Sequence, residues 1–305
     1  MISLIPDGFN DFHCKGGACR HTCCQVWIID IDEDTAAYYQ HLEGPLGEKL
    51  RASMEKSREG WHFRLNDRGF CPLLEPDGLC QVVKELGDDA LCDICAVHPR
   101  FFTHVDDEIQ EYTLCGTGLC CEETCEILGR LKGPIRFRNE DTGERCTLPE
   151  LLEDMGWGPI PKTLVHFRPI LTEAETKKIL QQLAKTEPID PAWTREMEQL
   201  PEQLPLLMTR QQAYTATCDS DLFDRFYHFI LYRQLDKLDA YGLEALIQYA
   251  RQSTQYIFLK AALTGDPLEA ARRWSEQIEY DTENVGKLLE GIEPSQPQMD
   301  DKKGV

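Results

Sequence analysis

The segment DFHCKGGACRHTCCQVW, residues 11–27, places Cys14, Cys19, Cys23 and Cys24 within eleven positions. Thiols this dense form disulfides, hold a metal or cluster, or act as redox dithiols. The chain has fourteen cysteines, and thirteen lie at or before Cys146. They fall into four groups: Cys14-x4-Cys19-x3-Cys23-Cys24, Cys71-x8-Cys80, Cys92-x2-Cys95 and Cys115-x4-Cys120-Cys121-x3-Cys125. Thiolate is a preferred ligand of zinc, iron–sulfur clusters and cuprous copper. One short loop can supply several such ligands at a small closure entropy, and distant pairs then tie separate segments together. These twelve cysteines are the candidate metal ligands. The x4 and x3 steps shared by the first and last groups leave open one site or two. Cys92-x2-Cys95 suits a zinc knuckle or a redox dithiol equally. Cys146 and Cys218 stand alone and read as small apolar side chains. His13, His21, His98 and His104 share the thiol-rich half and read as hydrogen-bonding neighbours of the ligands rather than as ligands.

Composition narrows the alternatives. At 305 residues, 42% hydrophobic and 28% charged, the chain is of the globular class, with about two domains as the prior. It contains no apolar run near 20 residues, which argues against a membrane span. The start, MISLIPDGFN, lacks a basic region followed by an apolar one, so the expected location is the cytoplasm. Thiols are kept reduced there, which favours metal ligands over bridges. A net charge of −21 repels a phosphate backbone and excludes nucleic acid as the expected partner. A protein presenting lysines would be drawn to such a surface. The phosphate-loop, dinucleotide, nucleophile-elbow and H-E-x-x-H signatures are absent. So is the C-x3-C-x2-C spacing of typical radical S-adenosylmethionine enzymes.

The elements that must position these thiols are short up to about residue 150. QVWIIDID (25–32) reads as a strand running into a helix capped by Asp32 or Asp34. EDTAAYYQHLEGPLGEKLRASME is helical on either side of Gly44-Pro45, and HFRLND and EIQEYTLC read as short strands. With so few large elements, bound metal is expected to supply part of the folding energy. Beyond about 150 the pattern becomes all-helical. LTEAETKKILQQLAKT opens with a capping box, Thr172 and Glu175. Phe223, Phe226, Tyr227, Ile230, Leu231 and Leu238 follow at helical spacing and read as core. A further helix stops at Gly265, and Asp266-Pro267 starts the next. The end, PSQPQMDDKKGV, reads as a disordered tail.

Three blocks, FHCKGGACRHTCCQVWIIDID, CPLLEPDGLCQVVKELGDDALCDICAVHPRFF and EYTLCGTGLCCE, resemble the flagellin lysine-N-methylase family. More broadly they resemble the zinc- or iron-chelating proteins named for a C-x-x-C-x-x-C-C run. The resemblance covers about the first 125 residues. The matching positions are Cys14, Cys19, Cys23, Cys24 and Trp27, then Cys71, Pro72, Cys80, Cys95, Pro99 and Arg100, then Cys115. FILYRQL, near 229–235, resembles a tyrosine-and-arginine helix of the methylases. The third block departs from the family. It reads CGTGLCCEETC where the relatives run into a proline-acidic-alanine stretch, and it adds three thiols. The chain is also shorter than the family's. The resemblance implies methyl transfer from S-adenosylmethionine to flagellin lysines, with an iron–sulfur cluster in the enzyme.

The sequence therefore predicts a mainly α protein. A small irregular α+β cysteine-rich module spans 1–150, a helical domain spans 151–292, and a disordered tail spans 293–305. Its expected function is that of a metal-dependent protein-lysine methyltransferase using S-adenosylmethionine. Zinc is the rival metal, and a metal or cluster carrier and a thiol redox protein are the rival functions. An acidic or aromatic group near the sulfonium is sought in VWIIDIDED, Tyr38, Tyr39 and Trp61, without any of them being assigned a catalytic role.

Overall fold

The computed structural model describes residues 2–106 and 110–292. The segment 293–305, expected to be a disordered tail, lies outside the described residues.

Eight strands are present among them: β1 (Ile2–Pro6), β2 (Asp30–Ile31), β3 (Met54–Lys56), β4 (Trp61–Phe63), β5 (Arg100–Asp106), β6 (Glu111–Thr117), β7 (Phe137–Asn139) and β8 (Arg145–Cys146). The helices of the thiol-rich half are α1 (Glu33–His41), α2 (Gly44–Ser53), α3 (Gln81–Leu86), α4 (Asp93–Val97) and α5 (Glu122–Arg130). Then come α6 (Leu148–Asp154), α7 (Lys162–Val165), α8 (Glu173–Leu183), α9 (Pro191–Gln199), α10 (Leu204–Thr215), α11 (Ser220–Arg233), α12 (Leu238–Thr264), α13 (Pro267–Ile278) and α14 (Thr282–Glu290). The protein is mainly α with a small amount of sheet, as expected.

The five-stranded sheet runs β5-β6-β1-β7-β8. Strand β1 is parallel to β6, with Leu4 opposite Leu114, and antiparallel to β7. The first residues of the chain thus become an interior strand, flanked on both sides. A smaller sheet, β2-β4-β3, lies with α1 and α2.

Two apolar cores result. The smaller gathers Ile29, Ile31, Tyr39, Leu50 and Phe63 with Cys71 and Cys92, all from residues 29–95. The larger runs across residue 150, joining Leu4, Leu114 and Phe137 of the five-stranded sheet to helices α6–α14. Its centre is α11, where Phe223 and Arg225 to Tyr232 are all buried. A helix that is apolar nearly all round must be enclosed on every side. Helix α12 is itself broken at Gly242, whose φ of 78° only glycine adopts freely.

Tyr232 shows how sheet and helices are joined. Its hydroxyl donates to Leu4 O at 2.8 Å and Cys115 O at 3.0 Å, and its ring stacks on Phe137 at 4.2 Å. Tyr232→Phe should cost about 1–3 kcal/mol by leaving buried carbonyls short of a donor. A urea-unfolding midpoint unchanged from the parent would contradict this.

Several local expectations hold. Asp32 caps α1 by accepting from Thr35 N at 2.8 Å. Asp266 caps α13, with Pro267 in its first turn, and Gly265 ends α12 at φ 77°. The capping box at Thr172 does not form: the Thr172 hydroxyl donates to the Glu175 carboxylate at 2.7 Å instead of accepting from the backbone. Side-chain pairing has won over capping there. A complete box does occur at Thr147 and Glu150, opening α6.

Candidate functional site

All fourteen cysteines are free thiols. Most of the twelve candidates gather into two groups that meet at Cys23-Cys24.

The first group belongs to the smaller core: Cys71 and Cys92 are buried there, with Cys24, Cys80 and Cys95 packed against it. The backbone ties Cys71 N to Cys24 O at 2.8 Å, and an isolated bridge pairs Leu74 with Cys80. Cys80 and Cys92 sit directly before the first turns of α3 and α4. Burial raises the Cys80 pKa, while the N–H groups of Val83 and Val82 lie close enough to oppose the rise. A thiolate at a helix N-terminus is favoured in this way. Burial pushes Cys71 up to about 12. The Cys95 thiol donates to Cys92, which lowers the Cys92 pKa and raises that of Cys95. Of the aromatic and acidic candidates nearby, Tyr39 is buried and donates to Ala90 O at 2.6 Å. Asp32 accepts from Asp93 N at 3.0 Å, Trp61 lies under Lys56, and Tyr38 is exposed.

The second group forms where the loop carrying Cys14 and Cys19 docks on the start of α5. Lys15, next to Cys14, bonds Glu122 Oε1 and Glu126 Oε1, each at 2.6 Å. The backbone N–H of Arg20, next to Cys19, donates to Glu122 Oε2 at 3.0 Å. Glu122 directly follows Cys121, the residue before the first turn of α5. One buried carboxylate therefore holds Cys14, Cys19 and Cys121 in one neighbourhood. Burial raises Cys19 to about 11, and Cys121 and Cys14 add to the rise. Cys14 Sγ accepts from Gly16 N at 3.4 Å. Cys23 donates to Cys24, lowering Cys24 to about 7.

The remaining candidates are placed differently. Cys115 is buried in β6, beneath Tyr232. Cys125 is buried with its thiol donating to Leu119 O at 3.0 Å, which fits a neutral, structural side chain. Burial pushes Cys120 up to about 12.

A polar and aromatic seam joins the thiol loops to the helical half. Trp27 stacks on His98 at 5.8 Å and meets the edge of Tyr280 at 5.9 Å. The Trp27 indole donates to Cys23 O at 2.7 Å. The Tyr280 hydroxyl lies 2.6 Å from His98 Nδ1 and is also bonded to Cys120. Behind it, Arg233 pairs with buried Glu279 at 3.4 Å, and Ser275 donates to Glu279 at 2.6 Å. Glu279 Oε1 is buried with no hydrogen-bond partner. Sequence reasoning singled out His98 but missed Tyr280 and Glu279, because a tyrosine at a helix end carries no spacing signal. The other histidines bond groups outside the thiol set: His13 to Asp11 O, His21 to Glu269 and His104 to Thr113.

Burial, then Arg233, lowers the His98 pKa from 6.5 to about 4. The unfolded chain therefore binds the extra proton between those values. Stability from this group is present above pH 6.5 and is lost as pH falls toward 4, by roughly 3 kcal/mol. His98→Gln should flatten that part of the stability–pH curve, measured by urea unfolding of variant and parent across the window. Parallel curves would exclude the assignment.

Val26 lies at φ 73°, a left-handed conformation that a β-branched residue rarely adopts. It is 47% exposed, so packing does not require its side chain. Val26→Gly should raise stability by about 1 kcal/mol. A lower melting temperature would show that the side chain supports the fold. With His21 and Gln25, Val26 forms one wall of a cleft of about 360 Å³. Asp190, Glu269, Arg272 and Arg273 also line it.

The donor set fits a thiolate-bound metal group: unbridged soft ligands from separate loops, several at helix N-termini, four of them in two bonded pairs. Among the described residues, no three His, Cys, Asp or Glu side chains already converge on one ion position.

Comparison with known proteins places the chain. It is 31% identical over 130 residues to a lysine-N-methylase of Salmonella choleraesuis (strain SC-B67), covering 40% of this chain and 31% of that protein. It is 32% identical over 124 residues to a lysine-N-methylase of Salmonella typhimurium (strain LT2), covering 38% and 30%. It is 30% identical over 130 residues to the flagellar biosynthetic protein FliU of Salmonella muenchen, covering 40% of this chain and 75% of FliU. The match thus spans about a third of the length of the two lysine-N-methylases. No family profile and no solved structure matches the chain. With three quarters of FliU covered at this identity, the chain belongs to the flagellin lysine-N-methylase family.

Proposed function

We propose that the protein is a lysine N-methyltransferase that takes its methyl group from S-adenosylmethionine and acts on flagellin or a similar surface protein. The observation that carries this reading is the match to proteins named lysine-N-methylase. The thiol arrangement supports a resident iron–sulfur cluster, with Cys24, Cys71, Cys80, Cys92 and Cys95 as the residues that would hold it. When bound, such a group cross-links the loops that carry its ligands and supplies a Lewis-acidic metal. The chain's own residues do the rest. The cleft lined by Val26 and Glu269 opens beside the thiol loop, and its Asp190, Glu269 and Glu276 carboxylates are paired with Arg272 and Arg273. Methyl transfer needs the amine neutral, and an apolar or aromatic surround lowers a lysine pKa. Trp27 and Tyr280 offer such a surround next to Cys23.

The test is calorimetric binding of S-adenosylmethionine to anaerobically purified protein, with iron, zinc and acid-labile sulfide measured on the same sample. Saturable binding with iron and sulfide supports the reading. Stoichiometric zinc without sulfide overturns the cluster, and no donor binding overturns the methyltransferase. Binding of the lysine-presenting protein should also weaken with salt, because the acidic surface is screened as the Debye length falls from about 8 Å at 0.15 M to about 3 Å at 1 M. A salt-independent dissociation constant would remove electrostatic steering from the account.

No helix among the described residues is long and apolar enough to cross a membrane.

A further inference from the structure

We propose that the thiols divide into two separate metal centres, with Cys14, Cys19, Cys23 and Cys121 forming a second, four-thiolate site for a thiophilic metal. This rests on the reading that the thiols hold metal. It adds that one group cannot be merged with the other.

Three observations separate the groups. Cys24, Cys71, Cys80, Cys92 and Cys95 belong to the smaller apolar core, and none of Cys14, Cys19, Cys23 or Cys121 does. The second set is instead assembled by Glu122, which is 5% exposed and bonds the neighbours of Cys14 and Cys19 while following Cys121 in the chain. At the boundary, Cys23 and Cys24 are adjacent in sequence but belong to different surroundings. The Cys24 carbonyl is tied to Cys71 in the first group, and the Cys23 carbonyl accepts the Trp27 indole at the seam. Cys23 and Cys24 lie in a bend, with the Cys23 thiol donating to Cys24, so this dipeptide marks the place where the two groups meet.

The chemistry of the second set is that of a ligand site. Four soft donors come from one loop and one helix start, so binding closes the contact between the thiol loop and α5. Gly16 N–H already points at Cys14 Sγ, and the N–H groups of Thr124 and Glu123 lie near Cys121 Sγ. Such donors favour thiolates and so favour metal. Cys14 and Cys23 are exposed, leaving room for their side chains to turn onto a shared ion. A four-thiolate zinc-type site is the simplest occupant, since zinc takes four such ligands at about 2.3 Å. Binding releases the thiol protons to solvent.

The experiment compares anaerobic parent protein with two variants, Cys14→Ser/Cys121→Ser and Cys71→Ser/Cys95→Ser. Metal content, sulfide and the visible spectrum are read on each. Each variant is expected to lose one part of the metal and keep the spectrum of the other. Loss of all metal in both variants would mean a single shared centre. Unchanged metal in Cys14→Ser/Cys121→Ser would remove the second site. Alkylation of native parent protein, read by mass spectrometry, covers the case in which a variant fails to fold. Cys14, Cys19, Cys23 and Cys121 should be protected together and become reactive together on chelation, with a chelator dependence different from that of Cys24 and Cys71. Common dependence, or reactivity of the four before chelation, would overturn the proposal. Absence of methyl transfer would overturn the proposed function and leave this division standing.

Discussion

Chelation, or Cys24→Ser with Cys71→Ser, is expected to unfold residues 24–95 while α8, α11, α12 and α13 stay folded. The smaller core contains only twelve buried apolar side chains, two of them cysteines. Its strands are two or three residues long and its helices five to ten. So little apolar area does not offset the chain entropy of some seventy residues without a cross-link. Thiolate–metal bonds supply that cross-link, and losing them should remove several kcal/mol from this unit alone. The larger core needs no such help: α11 is buried along most of its length and anchored by Tyr232. In hydrogen exchange, amides near Ile29, Leu50 and Phe63 should lose at least a hundredfold of protection in stripped protein, with α11 unchanged. Protection lost together in both cores would show one cooperative unit instead.

Arg233→Met is expected to be the most damaging single change at the seam, costing about 3–5 kcal/mol. Glu279 has no exposed side-chain surface, and its charge is balanced by Arg233 and Ser275. Without Arg233, a buried carboxylate is left unpaired. Glu279→Gln in the same chain should restore much of the stability, because no charge then remains buried. Double-mutant unfolding measures this directly. Equal losses in the single and double variants would show that Arg233 acts through packing on Phe101, whose ring lies 5.0 Å from its guanidinium.

Much of the fold was legible because local rules agreed with the final packing. Asp32, Gly265 and Asp266-Pro267 mark helix ends by hydrogen-bonding chemistry that is local in sequence. The aromatic periodicity of 222–232 pointed to a core helix, and α11 is one. What was not legible depends on distant partners. Strand β1 is interior only because β6 and β7 flank it, more than a hundred residues away. The larger core crosses residue 150 because this sheet needs α11 as a lid, a demand that composition does not reveal. The spacing of the cysteines raised the choice between one site and two without deciding it, because loop direction is set by Lys15, Arg20 and Glu122. Cys115 matched the family pattern by position yet lies in a strand beneath Tyr232, apart from both groups. Tyr280 entered the site only through the fold, brought to His98 from 182 positions along the chain.

The most direct measurement is methyl transfer itself. Anaerobically purified protein is incubated with purified flagellin and S-adenosylmethionine carrying a labelled methyl group, and the flagellin is then digested and sequenced by mass spectrometry. The account predicts label on lysine ε-amines, absent when the donor is omitted and abolished in the Cys24→Ser/Cys71→Ser variant. Metal-replete, folded protein that binds the donor yet leaves every flagellin lysine unlabelled would contradict it.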